Sequence, residues 1–486
     1  MDVSILNFEP KLLWKHFDRI RQIPRCSGHE KAAAAYVISV AKAHGYEYKQ
    51  DAVGNVVIRV PATPGHEKAP TVILQGHLDM VCEKNSDVDF DFSKDPIQLR
   101  VDGDWLMAQG TTLGADNGVG VAAALAVLED KSLTHGPLEL LFTIDEETGL
   151  TGASQIGEGM LTGKTLLNLD SEDDGVFFMG CAGGENTYAK FAKKTAPSVP
   201  KGQTIHLAVK GLKGGHSGLD INLHRGNAIL FVARMLWTAS RQISFALVSF
   251  EGGDKRNAIP REAFAEVIVP ADQTDAFKQI VGKVFDDLAN EYGLVEENME
   301  MVSEDLPAPS GAALDPEVQK RLLNFLLAVP HGILEIHPKI AGLVETSNNL
   351  ATIHFLEDEI EVSLSSRSSI NSALHFVSQK LRALCELAGA RAEQPPGYPG
   401  WTPNLDSPVL KLAQETYTEL FGQTPRLEAI HAGLECGILS EKYPGLDMVS
   451  FGPEIQHPHS PEERVNIPTV QKFYTLLGAI LAKLAN

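Results

Sequence analysis

At 486 residues the chain exceeds what one hydrophobic core comfortably serves, so two domains are expected. Its 43% hydrophobic and 22% charged residues are an ordinary globular composition, which excludes extensive disorder. A net charge of -21 and a pI near 5.2 disfavour nucleic acid and anionic membrane as partners. The five scattered cysteines (Cys26, Cys82, Cys181, Cys385, Cys436) show no CxxC spacing, which argues against a disulfide framework or a structural zinc knuckle. The N-terminal stretch lacks the continuous apolar run of a signal peptide. No segment offers the roughly 20 apolar residues of a membrane span. A soluble, cytoplasmic protein is expected.

In chain order, residues 9–45 read as an amphipathic helix, a Pro-Arg-Cys-Ser-Gly turn and an alanine-rich helix ending at Gly45. Strands follow over Asn55–Val60 and Thr71–Gln75. GADNGVGVAAALAVLED, from Gly114, reads as a loop opening into a helix. LELLFTIDEE (138–147) and KTLLNLDSED (164–173) are further apolar strands ending in acids. Strands alternating with helices predict an open α/β sheet with crossover connections.

After about residue 186 the pattern changes. Half-buried alternating strands (TIHLAVKGL, AFAEVIVPA, EIEVSLSSR) and helices such as Ala373–Ala388 predict a separate α+β domain over 187–395. PPGYPGWTPN reads as a return linker. From about Ser407 the chain reverts to helix, strand (LDMVSFGP) and a final helix over Thr469–Ala485. The first domain is therefore expected over 1–186 and 396–486, with the α+β domain inserted as a lid; a C-terminal extension of one large sheet is the alternative.

The apolar strands of the first domain end in residues that bind metals. TVILQGHLDMV carries His77 and Asp79, which lean to one side of an extended chain. Asp145, Glu146 and Glu147 end the next strand, and Asp170 another. Asp116 precedes a helix, and His457 and His459 follow a late strand. In open α/β sheets the carboxyl ends of the strands share a crevice in which ligands bind. So many imidazoles and carboxylates exceed the four positions of one zinc, but fit two metals about 3.5 to 4 Å apart with one carboxylate shared. Taken singly, each acid also reads as a helix cap or a solvated loop residue.

HLD, GADNG, the DEE of TIDEETG, LLNLD and HSPEE together resemble the co-catalytic zinc exopeptidases of the glutamate carboxypeptidase and aminoacylase group. TTLGADNGVG, GLKGGHSG, RNAIPREAFA, YPGW and IHAGLECG look most like the bacterial cytosolic aminoacyl-histidine dipeptidases, which split Xaa-His dipeptides such as carnosine. The resemblance runs along nearly the whole chain. It implies that His77 and Asp170 bind one metal, Glu147 and His459 the other, and that Asp116 bridges them. His459 is chosen over His457 because Ser-Pro-Glu-Glu follows it. Asp79 is expected to orient His77.

By the same resemblance, hydroxide held between the metals attacks the peptide carbonyl, with Glu146 as general base and then acid. His216, in KGGHSG, matches the family's oxyanion-stabilising histidine. Arg367, in EVSLSSRSS, matches its clamp for the substrate carboxylate, although SSR stands where many relatives carry Asp-x-Arg. Asn257 and Gly433 are further candidates for substrate contact. The implied cofactors are two divalent ions per chain, zinc first, with cobalt and manganese also suited to such ligands. The implied partners are small dipeptides and a second copy of the chain in a homodimer. The lid exceeds the single dimerisation domain of simpler members, which implies two related lobes and a His216 acting within its own chain. The competing readings are an aminoacylase on the same scaffold and a peptide binder without catalysis.

Overall fold

The structure, a computed structural model, describes residues 3–196 and 201–486. The chain divides into two units, one of residues 1–180, 403–429 and 434–486, the other of residues 181–402 and 430–433. Among the described residues no helix is long and apolar enough to cross a membrane.

The first unit is built on an eight-stranded sheet. Its strand order is Glu47–Gln50, Val56–Val60, Leu138–Thr143, Val72–His77, Thr165–Asn168, Asp447–Ser450, Val176–Cys181 and Arg426–Ile430. Four central strands (Leu138–Thr143, Val72–His77, Thr165–Asn168 and Asp447–Ser450) run parallel, so their carboxyl ends lie along one edge. Parallel strands are covered on both faces and therefore read as unbroken apolar runs. Every residue of Val72–His77 and of Leu138–Thr143 is indeed buried. The Val72–His77 strand runs two residues beyond the predicted end at Gln75, because Gly76 and His77 continue the ladder with Phe142 and Thr143.

The segment Ala115–Glu129 is buried from Ala115 to Leu128; Asp116 and Asn117 at its start depart from helical geometry, and from Gly118 to Leu128 the helix is apolar all round, as a helix covered on every side must be. It packs on the Lys11–Ile20 helix and on the Val72–His77 strand. Gly76 allows that approach: a Cβ there would stand 2.2 Å from Asn117 Oδ1. The alanine-rich helix Lys31–His44 ends at Gly45 in a left-handed turn (φ 69), the conformation glycine adopts most readily. A small sheet of Ile455–Gln456, Arg464–Asn466, Trp105–Ala108 and Leu99–Asp102 completes the unit.

The second unit is a nine-stranded sheet whose pairings are all antiparallel. Glu300–Leu306, Gln203–Lys210, Ala263–Val269 and Ala246–Gly252 form one half, and Val344–Phe355, Glu359–Ser368, Gly183–Ala192 and Arg391–Glu393 the other, with Gly332–Ile336 paired to Val344–Phe355 off this path. The halves join at Gly252 and Ile353. Helices Ala228–Ser240, Thr274–Tyr292, Pro316–Ala328 and Asn371–Leu387 contribute residues to one apolar cluster with both halves. The unit begins before residue 187 and runs past 395, because Cys181 pairs with Trp401 and Gly184 with Tyr398. Residues 430–433 belong to it as well: Ala182 N–H lies 3.0 Å from both Ile430 O and Ala432 O.

Candidate metal centre

The carboxyl-end edge of the first sheet gathers all five candidate ligands. His77 Nε2 lies 3.0 Å from Asp116 Oδ1 and 3.2 Å from Asp170 Oδ1. His459 Nε2 lies 3.2 Å from Asp116 Oδ2 and 2.9 Å from Glu147 Oε2. Asp116 thus turns one oxygen to each histidine, and the donors form two triads, His77–Asp116–Asp170 and Asp116–Glu147–His459. His77 is buried, whereas the His459 side chain is 52% exposed, so in this unit the second triad is the more open to solvent.

The electrostatics of these groups ask for added positive charge. Hydrogen bonds to Asp116 and Glu147 push the His459 imidazole up to about 11. The His77 imidazole is raised well above its ordinary range: burial works against this, but Asp170 and Asp116 outweigh it. Burial raises the Asp170 and Glu147 carboxyls. Glu147 Oε1 is buried without a hydrogen-bond partner. Such a set of buried carboxylates is costly unless cations balance it. The residues fit two divalent ions.

Asp79 supports the centre from behind. Its Oδ1 lies 3.3 Å from His77 Nδ1, which fixes the ring so that Nε2 faces the acids. Burial alone would raise its carboxyl, but the hydrogen bond with His77 brings it down to about 2. The same carboxylate accepts the Glu146 and Glu147 backbone N–H groups at 3.1 and 3.2 Å. Those two acids do not sit on a strand, as the sequence suggests. The strand stops at Thr143, Asp145 takes φ 50, and Glu146–Gly149 forms one helical turn. Successive residues on that turn point about 100° apart, so Glu147 can join the triad while Glu146 stands beside it, its oxygen within 4.8 Å of ligand atoms of His77 and Glu147 in a third candidate group. Burial pushes the Glu146 carboxyl well above the usual carboxylate range; His77 opposes this, and Asp170, Glu435 and Glu147 add to it.

Three further buried groups were not singled out from the sequence. Glu463 Oε2 accepts the Leu113 and Gly114 N–H groups at 2.7 and 2.9 Å, and its Oε1 those of Ala115 and Asp116 at 2.7 and 3.3 Å. One carboxylate therefore holds the whole loop that presents Asp116. Arg25 donates to Leu78 O at 3.1 Å, to Asp79 O and to Gly114 O. Glu435 accepts hydrogen bonds from Gln75 and Thr143, both at 2.6 Å, and burial lifts it to about 7. A fourth acid cluster, Glu30–Asp79–Asp145, is occupied by hydrogen bonds: Glu30 takes the Gly28 and Asp145 N–H groups and Asp145 the Thr148 and Thr151 hydroxyls. His457 does not appear in either triad.

The second unit collects the remaining candidates. His216 pairs with Ala258, and the Ser217 N–H donates to Asn257 O at 2.8 Å. His216 Nδ1 accepts the Gly218 and Leu219 N–H groups at 3.2 and 3.0 Å, so the proton of the neutral ring sits on Nε2. Burial, with Arg367 adding, lowers its pKa. Arg367 is buried and donates to the Tyr398 hydroxyl at 3.1 Å. Gly433 lies against the same tyrosine, where a Cβ would stand 2.8 Å from the ring. His431, which was not foreseen, bonds Ser347 Oγ at 2.7 Å.

An open sheet with paired acid–histidine triads at its carboxyl edge defines the class, that of hydrolases with a metal-binding centre. The model of peptidase family M20/M25/M40 matches residues 73–483. The chain belongs to this family and is a peptidase. It is 44% identical, over 482 residues and 99% of each chain, to the cytosol non-specific dipeptidase of Escherichia coli (strain K12). Its structure is similar to the crystal structure of aminoacylhistidine dipeptidase from Vibrio alginolyticus, with TM-score 0.93 and 44% identity, covering 99% of this chain and 98% of that one. Aminopeptidase PepT from Bacillus cereus ATCC 10987 shares the fold at TM-score 0.57 and 16% identity, covering 99% and 100%.

Proposed function

We propose that the protein is a cytosolic dimetal dipeptidase that cleaves dipeptides, with Xaa-His substrates such as carnosine preferred. The observation that carries the reading is Asp116, whose two oxygens face His77 and His459 separately, as a bridging ligand requires. His77 and Asp170 would hold one divalent ion, Glu147 and His459 the other, zinc being the first choice. When bound, such a pair supplies a water acidic enough to ionise near neutral pH and polarises a carbonyl.

The chain's own residues handle protons and charge. Glu146 accepts a proton from the attacking water and passes it to the leaving amine. Its raised affinity for a proton suits that double duty. His216 donates its Nε2–H to the oxygen on which negative charge develops, a contribution of about 3 to 4 kcal/mol to the barrier. Arg367, held by Tyr398, binds the substrate's terminal carboxylate through its planar fork. Asn257 and Gly433, both in the second unit, contact the bound dipeptide. The assembly is a homodimer in which His216 serves its own chain.

Metal analysis combined with a dipeptide panel tests the reading. Two ions per chain and faster cleavage of carnosine and other Xaa-His dipeptides than of N-acetyl amino acids are expected. Faster release of acetate than of any dipeptide product would replace the dipeptidase by an aminoacylase. A fully active protein with no bound ion would sink the dimetal centre.

A further inference from the structure

Cys26 and Cys82 form a disulfide across 56 residues of sequence, with Cα atoms 5.6 Å apart. The cysteine spacings gave no reason to expect it. Both residues are half-buried, whereas Cys181, Cys385 and Cys436 carry no disulfide and are buried.

The bond closes on the support of the metal centre. Next to Cys26, Arg25 grips Leu78 O, Asp79 O and Gly114 O, and Ser27 Oγ donates to Asp79 Oδ2 at 2.8 Å. Cys26 pairs with Met80, whose N–H donates to Arg25 O at 3.1 Å. Cys82 follows directly in the segment that carries Asp79. Its neighbours Val81 and Glu83 accept from Thr112 Oγ1 and Thr112 N–H at 2.8 and 2.9 Å, at the start of the loop that leads to Asp116. The disulfide therefore ties the segment around Cys26 to the one that carries Asp79, and hydrogen bonds from Thr112 join the latter to the loop that presents the bridging acid.

We propose that Cys26 and Cys82 are a reversible thiol–disulfide exchange site, open to low-molecular-weight thiols, whose oxidation state sets how firmly the metal centre is held. Reduction by two RSH molecules breaks the sulfur–sulfur bond. The first thiolate forms a mixed disulfide with one cysteine and releases the other as a thiol. The second thiolate displaces it, leaving two protein thiols and RSSR, with two electrons transferred to the protein. The reduced form releases the Arg25–Ser27 segment from Asp79, so His77 loses part of its orientation and the ions are retained less well. In a cytosolic enzyme a half-exposed disulfide of this kind is a responsive element, since a reducing compartment leaves few permanent ones. The inference rests on the reading of residues 77, 79 and 116 as parts of a metal centre.

The test equilibrates the holoenzyme in buffers of graded reduced-to-oxidised glutathione ratio. Three quantities are followed: thiols alkylated after denaturation, metal released to a chelator, and dipeptide hydrolysis. The thiol count should rise from three to five, since three of the five cysteines carry no disulfide. With the same midpoint, metal release should quicken and hydrolysis fall at least five-fold. In metal release and hydrolysis the C26S/C82S variant should sit at the reduced level at every ratio, with three thiols throughout, which also separates the clamp from metal stripping by glutathione itself. A thiol count that does not change with ratio, a change without any effect on metal release, or an equal response in C26S/C82S would each overturn the proposal. Should C26S/C82S fail to fold, the wild-type titration still decides through its matched or unmatched midpoints. Dipeptide hydrolysis absent at every ratio would sink the proposed dipeptidase activity alone, because thiol count and metal release would still report on the clamp.

Discussion

The single residues around the metal centre differ sharply in what they can be asked to do. Glu146 stands beside His77 and Glu147, within 4.8 Å of their ligand atoms, but belongs to neither triad that shares Asp116, so its loss should spare the ions and remove the proton carrier. Glu146→Ala should keep both ions by elemental analysis and lose roughly four decades of hydrolysis rate. Retention of most activity would refute the assignment. Glu463 is the converse case, because it acts through backbone alone. In Glu463→Gln one of the two paired acceptor oxygens becomes a donor, so two of the four N–H groups of the Leu113–Asp116 loop lose their partner. Each buried donor left unmade costs about 1 to 3 kcal/mol, so the urea midpoint should fall and metal release should quicken. An unchanged midpoint with unchanged release would show that the loop holds itself. The five candidate ligands, which the structure brings together, could be proposed from the sequence because metals demand particular side chains, and their assignment came from the family resemblance. Glu463 and Arg25 could not, since their partners are N–H and C=O groups that any residue carries, up to 350 positions away.

At the scale of elements, period and composition identified most strands and helices, and they failed where one segment answers to another far off in sequence. The Val72–His77 strand overran its predicted end because Leu138–Thr143 beside it is equally long. The acids of DEE left the strand because Asp79 caps the turn that carries them, an interaction invisible in LELLFTIDEE itself. His459 is held in the left-handed region (φ 59), at a cost of about 1 to 2 kcal/mol for a residue with a side chain. Contacts within the turn offset this, among them Ser460 Oγ to His457 O at 2.9 Å and Glu463 N–H to Ser460 O at 3.0 Å. The Cys26–Cys82 bond is the clearest such element. By chain entropy, closing a loop across 56 residues of sequence stabilises the folded state by about 4 kcal/mol. C26S/C82S should therefore melt roughly 10 °C lower. A melting temperature within 2 °C or so of the oxidised wild type would mean that the loop is already restrained without the bond.

Over the whole molecule, stability should depend on acid through histidines that folding keeps neutral. In the second unit burial lowers His331 to about 4, and burial with Arg367 lowers His431 to about 3. Leu350 N–H donates to His331 Nδ1 at 3.3 Å, a bond that needs that nitrogen unprotonated. In the first unit burial brings His16 to about 4 against the pull of Glu129. An unfolded histidine titrates near 6.5. Between about pH 6.5 and 4 the unfolded chain therefore binds more protons than the folded one, so stability rises with pH there and is lost as pH falls through 6.5. From pH 7 to pH 5 each ring should cost on the order of 2 kcal/mol. Metal binding by imidazoles and carboxylates also weakens as pH falls, so the wild-type profile alone mixes two causes. His331→Asn separates them: its side-chain oxygen can still accept from Leu350, and it takes no proton. Urea unfolding of both proteins at pH 7 and pH 5 should give a wild-type loss larger by about 2 kcal/mol. Equal losses would show that His331 takes no part in the acid sensitivity.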